Sequence, residues 1–507
     1  MTNIILIMAD QLRADAMGYA GNPLRVTPAI DSLAARGAAF LRHHTPNQIC
    51  SPSRASLFSG LYPRHHGLHR NGVALGESVD LLTHGLKRAG FTTFGSGKFH
   101  FQPMEAPAEY AMPESWAFWR EAASKDWHGP FYGFDSVALV IGESSYSPQG
   151  GHYAQWLRQH HPDLTGHYDV ERALEGPPPD LDEVWESAMP VEAHYNTWIT
   201  DRATAFLEGA SADEPFFLFV SYPDPHHPFT PPRPYSRLVE MDKVPMPAVT
   251  EGELERLPPY IRNLTDESAD ESYLSLVLGH GAPREQGYMM RTAGLGERTL
   301  RRLIAYTYGM IGMIDDGVSR IVSAVDSRGL LEDTVIIFTS DHGEFLGDHG
   351  LLHKGPPPFR QLLEVPLVMA GPGISHRRIE ALTSHIDLKP TFLDIAGAAF
   401  NGGDGVSLLP LLRGKRESVR DLLFAEYHPR VASEQYNQSV ITRDARLTVY
   451  PLSPGWGEYF RHGGDPGEHQ NLFKDPARQK EIKTLAAQLE RRFPPKPEVP
   501  SVPIAVY

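Results

Sequence analysis

Acids, imidazoles and amines follow four separate apolar runs in this sequence. Asp10 and Gln11 follow NIILIMA at 3–9, Lys98 and His100 follow FTTFGSG at 91–97, and His226 and His227 follow FFLFVSY at 216–222. Asp341 and His342 follow TVIIFTS at 334–340, with Lys354 a short loop later. Asp10, Gln11, Asp341 and His342 suit one divalent cation. Their carboxylate and amide oxygens match a hard ion such as Ca²⁺, Mg²⁺ or Mn²⁺; the imidazole tilts the choice toward Mn²⁺ without excluding Ca²⁺. Either aspartate alone could instead cap the helix that follows it. Two at equivalent strand ends favour the cation.

Between the first two runs lies ICSPSRASLFSG at 49–60, which holds Cys50, the only cysteine among 507 residues. Ser51 is a natural N-cap and Pro52 fits the first helical position, so a helix is expected to start here. Cys50 would then sit just ahead of a helix N-terminus, where the dipole stabilises negative charge and oxyanions bind. Arg54 adds charge-assisted bonds nearby. A lone cysteine otherwise reads as a small buried hydrophobe.

These groups must be positioned by something. Apolar runs without polar alternation suit strands buried on both faces, and VPLVMAG at 365–371 is a fifth. Helical patterns separate them: AIDSLAARGAAF, SLFSGL, LLTHGLKRAG, and a long stretch from Arg298 that ends at Gly329, a C-cap. Strand alternating with helix predicts an α/β fold with a mostly parallel sheet. Ligands in such sheets bind at the carboxyl ends of the strands, where the chemical residues collect. Segments of about 102–215 and 228–300 break the rhythm with Pro, Gly, aromatics and acids, and read as insertions at the mouth of a site. A catalytic domain is expected over 1–413. Short strands and a final helix at 478–492 predict a smaller antiparallel subdomain over 414–507. The Pro-rich tail suggests an arm laid on a second subunit, in a dimer or tetramer.

Composition excludes several classes. The 41% hydrophobic and 21% charged content is that of a soluble globular protein. A net charge of −15 argues against nucleic acid, whose phosphates reward clustered Lys and Arg. The first run lacks a basic leader and a cleavage site, and no run approaches spanning length, so a cytoplasmic enzyme away from the membrane is expected.

The string C-S-P-S-R-A-S-L-F-S-G resembles the signature of the type I sulfatases of the alkaline phosphatase superfamily, C-x-P-S-R-x-x-x-x-x-G. The resemblance continues through Asp10, Gly97-Lys98-x-His100, Pro225-His226, Ser340-Asp341-His342-Gly343, Lys354 and the closing GGDPGEHQNLF at 463–473. It implies an alkaline-phosphatase-like α/β/α sandwich, and a Cys50 that a formylglycine-generating enzyme oxidises to formylglycine before folding. The resemblance further implies that Asp10, Gln11, Asp341 and His342 hold Ca²⁺ or Mn²⁺ together with the modified Cys50. Arg54 and Lys98 would orient the hydrated aldehyde and neutralise the ester oxygens. His226 and Lys354 would protonate the departing alcohol, and His100 would take the last proton. The substrate would be a small-molecule sulfate ester. Gln11 and His342 depart from the acid and Asn of many sulfatases and resemble the phosphonate monoester hydrolases and choline sulfatases; the Lys98-x-His100 pair is sulfatase-like. Sulfate ester hydrolysis is therefore expected first, with phosphonate or phosphodiester hydrolysis as a side activity and a non-catalytic binding protein as the outlying alternative. His65, His66 and His227 read as bystanders, and Trp116, Trp119, Trp127, Phe131 and Tyr132 mostly as packing.

Overall fold

The computed structural model describes residues 2–121, 124, 126–211, 213–258, 289–429, 435–494 and 504–505. Part of the expected 228–300 insertion and most of the Pro-rich tail lie outside them. Eight strands form the central sheet: β1 Asn3–Ala9, β2 Ala38–Phe40, β3 Thr92–Gly97, β4 Ser136–Leu139, β5 Phe216–Tyr222, β6 Thr334–Ser340, β7 Leu367–Ala370 and β8 Arg377–Ile379. Their spatial order is β8-β2-β7-β6-β1-β5-β3-β4. β7 alone runs antiparallel to its neighbours; every other pair is parallel. The carboxyl ends of β1, β3, β4, β5 and β6 therefore share one edge.

β1 explains why these runs lack alternation. Ile5 and Ile7 pack into one core with Ile311, Ile314 and Val318 of the long helix Glu297–Ser327. Ile4, Leu6 and Met8 pack into the other with Ala55, Leu57 and Phe58 of the helix Cys50–Ser59. Both faces are dry, as a parallel sheet between helical layers requires. The long helix ends as expected, with Gly329 at φ 68° and its N–H on the Asp326 carbonyl (2.8 Å).

Two details differ from expectation. The helix after β1 stops at Arg36, and the remaining Ala38–Phe40 joins the sheet. Gly37 makes that switch possible, because a Cβ there would lie 2.1 Å from the Met369 carbonyl oxygen. The segment 102–215 also does more than surround a site. It supplies β4, paired with β3, and the helices Gly151–His160 and Tyr195–Gly209.

A second, four-stranded antiparallel sheet comprises β9 Leu422–Tyr427, β10 Asn437–Thr442, β11 Ala445–Val449 and β12 Gly457–Arg461, in that order. The final helix, Gln479–Arg492, buries Ile482 and Leu489 against Val440 and Leu447. This sheet buttresses the segment around Cys50. Asn47 Nδ2 donates to the Glu426 carbonyl (2.7 Å), and the Glu426 carboxylate accepts from Arg64 N (2.8 Å) and Nε (3.0 Å). Burial alone would raise the Glu426 carboxyl, but His428 and Arg64 outweigh it and hold it at about 2. A depressed carboxyl stabilises fully above the ordinary glutamate value of about 4.5, and that contribution is lost as pH falls through about 2. Glu426→Gln is expected to flatten this part of the acid-unfolding curve. Urea titrations that keep the wild-type pH dependence over this window would count against the pairing.

No helix among the described residues is long and apolar enough to cross a membrane.

Candidate active site

The Cys50 helix begins two residues earlier than its sequence suggests. Cys50 is its first residue and the extended Ile49 its N-cap, while Ser51 N donates to Asn71 Oδ1 (3.2 Å). Pro52 still falls in the first turn, where a missing N–H costs nothing. Cys50 is 1% exposed. Burial, with Asp10 beside it, pushes its thiol up to about 12, so the unmodified side chain is a neutral thiol rather than the thiolate a helix start would favour.

Asp10, Cys50, Asp341 and His342 come together, with ligand atoms all within 4.8 Å of one another and all four residues buried. Cys50 Sγ lies 3.1 Å from His342 Nε2 and 3.6 Å from Asp10 Oδ1. His342 Nδ1 donates to the Gly343 carbonyl (2.9 Å), which leaves a bare lone pair on Nε2. That lone pair faces Asp10 Oδ1 and Asp341 Oδ1, both 3.8 Å away. Burial holds the imidazole at about 4, against the opposing pull of Asp341, so it carries no charge at neutral pH. A neutral nitrogen lone pair among carboxylate oxygens is a donor set that fits a divalent cation.

Cations surround this cluster. Arg54, fully buried, donates from Nε to Asp341 Oδ2 (2.8 Å) and from Nη2 to Asp10 Oδ2 (3.1 Å). Its Nη1 donates to the Lys98 carbonyl (2.6 Å) and Ser221 Oγ (2.9 Å), so that the one side chain ties four strand ends together. Lys98 Nζ sits 2.9 Å from Asp10 Oδ2 and 3.1 Å from Glu143 Oε2. Asp10 and Glu143 raise the ammonium against burial, so it stays protonated. Gly97 sets its approach, since a Cβ there would stand 1.8 Å from the Ser221 carbonyl oxygen.

Lys354 Nζ donates to Gln11 Oε1 (2.7 Å), His226 Nε2 (2.9 Å) and Cys50 Sγ (3.2 Å). His226 Nδ1 donates to the His227 carbonyl (2.6 Å), so its Nε2 is the acceptor of the lysine proton. Gln11 sits at φ 64° with its N–H on Asp341 Oδ1 (3.0 Å); its amide nitrogen donates to Glu344 and, at 3.3 Å, to His227 Nδ1. His100 is buried, and neither ring nitrogen has a hydrogen-bond partner among the described residues. Burial and the charges of Lys98 and Arg54 hold it well below the usual imidazole range, as a neutral base.

Three carboxylates escaped the reading of the sequence. Glu143, four residues past β4, lies between Lys98 and His226 Nδ1 (3.6 Å). Glu114 accepts the backbone N–H groups of His100, Phe101 (2.7 Å) and Gln102 (2.9 Å), fixing the turn in which His100 has φ 61°. Glu344 accepts from the Leu346 N–H (3.0 Å), the His353 N–H and Gln11. The run VALVIG at 137–142, ending in Gly-Glu, could have revealed Glu143 as another strand-end group. His227 is more than a bystander, because it meets Gln11 and stacks on His353 at 3.9 Å. His65 and His66 turn elsewhere, to Asp404 and Ser56. Trp119, Trp127 and Phe131 pack edge to face.

The strand ends of this mostly parallel sheet thus gather carboxylates, neutral imidazoles, three cations and a helix-start cysteine, a set whose charges suit a tetrahedral anionic ester. The Sulfatase family pattern matches residues 2–398, and the chain belongs to that family as a hydrolase acting on sulfuric esters. A second pattern, N-sulphoglucosamine sulphohydrolase, C-terminal, matches residues 347–493. The multifunctional alkaline phosphatase superfamily protein PehA of Trinickia caryophylli is 29% identical, over 94% of this chain and 92% of that protein. The choline-sulfatase of Rhizobium meliloti is 26% identical, over 97% and 86%. The phosphonate monoester hydrolase of Agrobacterium radiobacter superposes with a TM-score of 0.78 at 26% identity, covering 97% of this chain and 95% of that one.

Proposed function

We propose that this chain cleaves sulfate monoesters at a centre built on Cys50, acting in its formylglycine form with one Ca²⁺ or Mn²⁺ held by Asp10, Asp341 and His342, with Gln11 at its edge. The observation that carries this reading is the convergence of Arg54, Lys98 and Lys354 on the Cys50 side chain and its buried acids. The modified residue and its cation would supply an oxygen nucleophile and a Lewis acid. The chain's own residues do the rest. Arg54 clamps both aspartates, and Lys98 and Lys354 place fixed positive charge where ester oxygens gain negative charge. Lys354 holds the proton shared with His226 Nε2, within reach of a leaving alcohol. His100, neutral with both nitrogens free, is the available proton acceptor.

Phosphonate monoester or phosphodiester hydrolysis is the second reading. Gln11 and His342 favour it, as does the likeness to the Agrobacterium hydrolase. Both ester classes are tetrahedral monoanions, so the same cations serve either. Turnover of an aryl sulfate and an aryl phosphonate on one preparation decides the order, and a dominant phosphonate rate reverses it. Peptide mass spectrometry is expected to find the Cys50 peptide in its aldehyde form; active protein with an unmodified, alkylatable thiol would end the formylglycine reading.

Lys98→Ala and Lys354→Ala are each expected to cost about 3 kcal/mol of transition-state stabilisation, roughly a hundredfold in rate. A Lys354→Ala variant with near-normal kcat/KM would remove that residue from the site.

A further inference from the structure

A second cluster lies away from Cys50, where three distant segments meet. Glu253 comes from the segment after β5, His349 from the loop after β6, and His469 from the closing turn near the C-terminus. Their ligand atoms lie within 4.8 Å of one another, and Glu253 and His349 are buried. Glu253 Oε1 touches His349 Nδ1, and His469 Nδ1 stands 3.2 and 3.3 Å from the two Glu253 oxygens.

The tautomer of His349 is fixed by its other partner. Gln361 Nε2 points to the Gly467 carbonyl (3.5 Å), so its Oε1 is the atom 3.1 Å from His349 Nε2. An amide oxygen only accepts, and Nε2 must therefore carry the proton. A neutral His349 then turns a bare Nδ1 lone pair onto a carboxylate oxygen in a buried place. That contact repels unless positive charge stands between the atoms. A proton on His349 would supply that charge to one ring only; a metal ion would supply it to both rings, whose centroids lie 4.9 Å apart. One metal ion satisfies all three groups at once.

We propose that Glu253, His349 and His469 form a second cation site, distinct from the Asp10–Asp341 cluster, that takes a zinc-type transition-metal dication. Two imidazoles and a carboxylate are a zinc donor set. Tetrahedral bonds of about 2.0–2.1 Å put neighbouring ligand atoms about 3.3 Å apart, which the Glu253–His469 separations match, whereas Glu253 Oε1 and His349 Nδ1 lie closer and would have to part on binding. The Nε2–H bond to Gln361 is the outer hydrogen bond that orients a metal-bound imidazole. Phe359, stacked on His349 at 3.9 Å, holds the ring in place. His469 also lines a surface cavity of about 450 Å³ with Arg13, Asp348 and Gln361, which gives an entry path and room for a water as fourth ligand. Bound metal would staple the loop that carries both His342 and Lys354 to the two segments flanking it.

The test is zinc stoichiometry by elemental analysis after equilibrium dialysis against Zn²⁺, in an Asp341→Asn background that disables the Cys50 cluster. One zinc per chain is expected in Asp341→Asn, and none in Asp341→Asn/His469→Ala or Asp341→Asn/Glu253→Gln. Co²⁺ in place of zinc should give visible d–d bands in Asp341→Asn that vanish in Asp341→Asn/His469→Ala, and zinc should raise the Tm of Asp341→Asn but not of that double variant. His469 is partly exposed, so its replacement spares the core even if Glu253→Gln misfolds. Equal zinc in the single and double variants, or none in Asp341→Asn, would overturn the proposal.

Discussion

Cys50→Ala is expected to abolish turnover of sulfate and phosphonate esters together, by about 10⁴-fold or more, while the fold survives. Removing a nucleophile leaves only the binding and charge complementarity of the surrounding groups, and deletions of that kind cost on the order of 10⁴–10⁶ in kcat. Both proposed activities share the Cys50 position, so the variant cannot lose one and keep the other. Alanine is smaller than cysteine and brings no polar atom of its own into a site that is 1% exposed at this residue, and Lys354 keeps its Gln11 and His226 partners. Far-ultraviolet circular dichroism should be unchanged. Retention of either rate within tenfold of wild type would show that the reaction does not pass through this residue.

Arg54→Ala is expected to damage the protein itself. Its guanidinium makes four hydrogen bonds at 0% exposure, two of them to Asp10 and Asp341. Lys98 remains for Asp10, but Asp341 Oδ2 loses its one cationic contact among the described residues. Breaking a buried ion pair by removing one partner typically costs about 3–5 kcal/mol, because the other charge stays buried. The loss should be largest in chelator-treated protein and smaller with Ca²⁺ or Mn²⁺ present, since a cation on the same aspartates takes over part of the compensation. Denaturant titrations of wild type and variant, each with and without metal, measure both effects. A metal-free loss below about 1 kcal/mol would mean that the aspartates do not depend on Arg54 for their burial.

The parts of the site that were legible in sequence share a cause. Strands buried on both faces are written as unbroken apolar runs, and the polar residue that ends each run falls at the ligand-binding edge. Asp10, Lys98, His226 and Asp341 were all found that way. Cys50 and Arg54 were found through a motif whose spacing is long enough to be specific. What stayed hidden lies off the main strands. Glu143 follows β4, only four residues long and set among Gly, Pro and aromatic residues that read as insertion. Glu114 contributes through backbone N–H groups, which leave no trace in residue types. Cys50 itself was expected to be acidified by the helix start; burial and Asp10 win instead, because desolvation of a thiolate outweighs one helix terminus. The Glu253–His349–His469 cluster gathers residues from three segments that no local pattern connects.

The placement of β4 bears on how this scaffold could acquire a new substrate. The stretch that holds Glu114 and Glu143 also threads a strand through the edge of the central sheet, so it is not a detachable module. Recombination confined to its surface turns would leave the His100 turn and the Lys98 ammonium anchored by the old parent. Exchange of the whole stretch with a homologue would replace the sheet edge and both anchors in one event. Diversification of this enzyme is thus channelled toward block inheritance, and a designer redrawing its specificity should cut at the ends of 102–215 rather than within it.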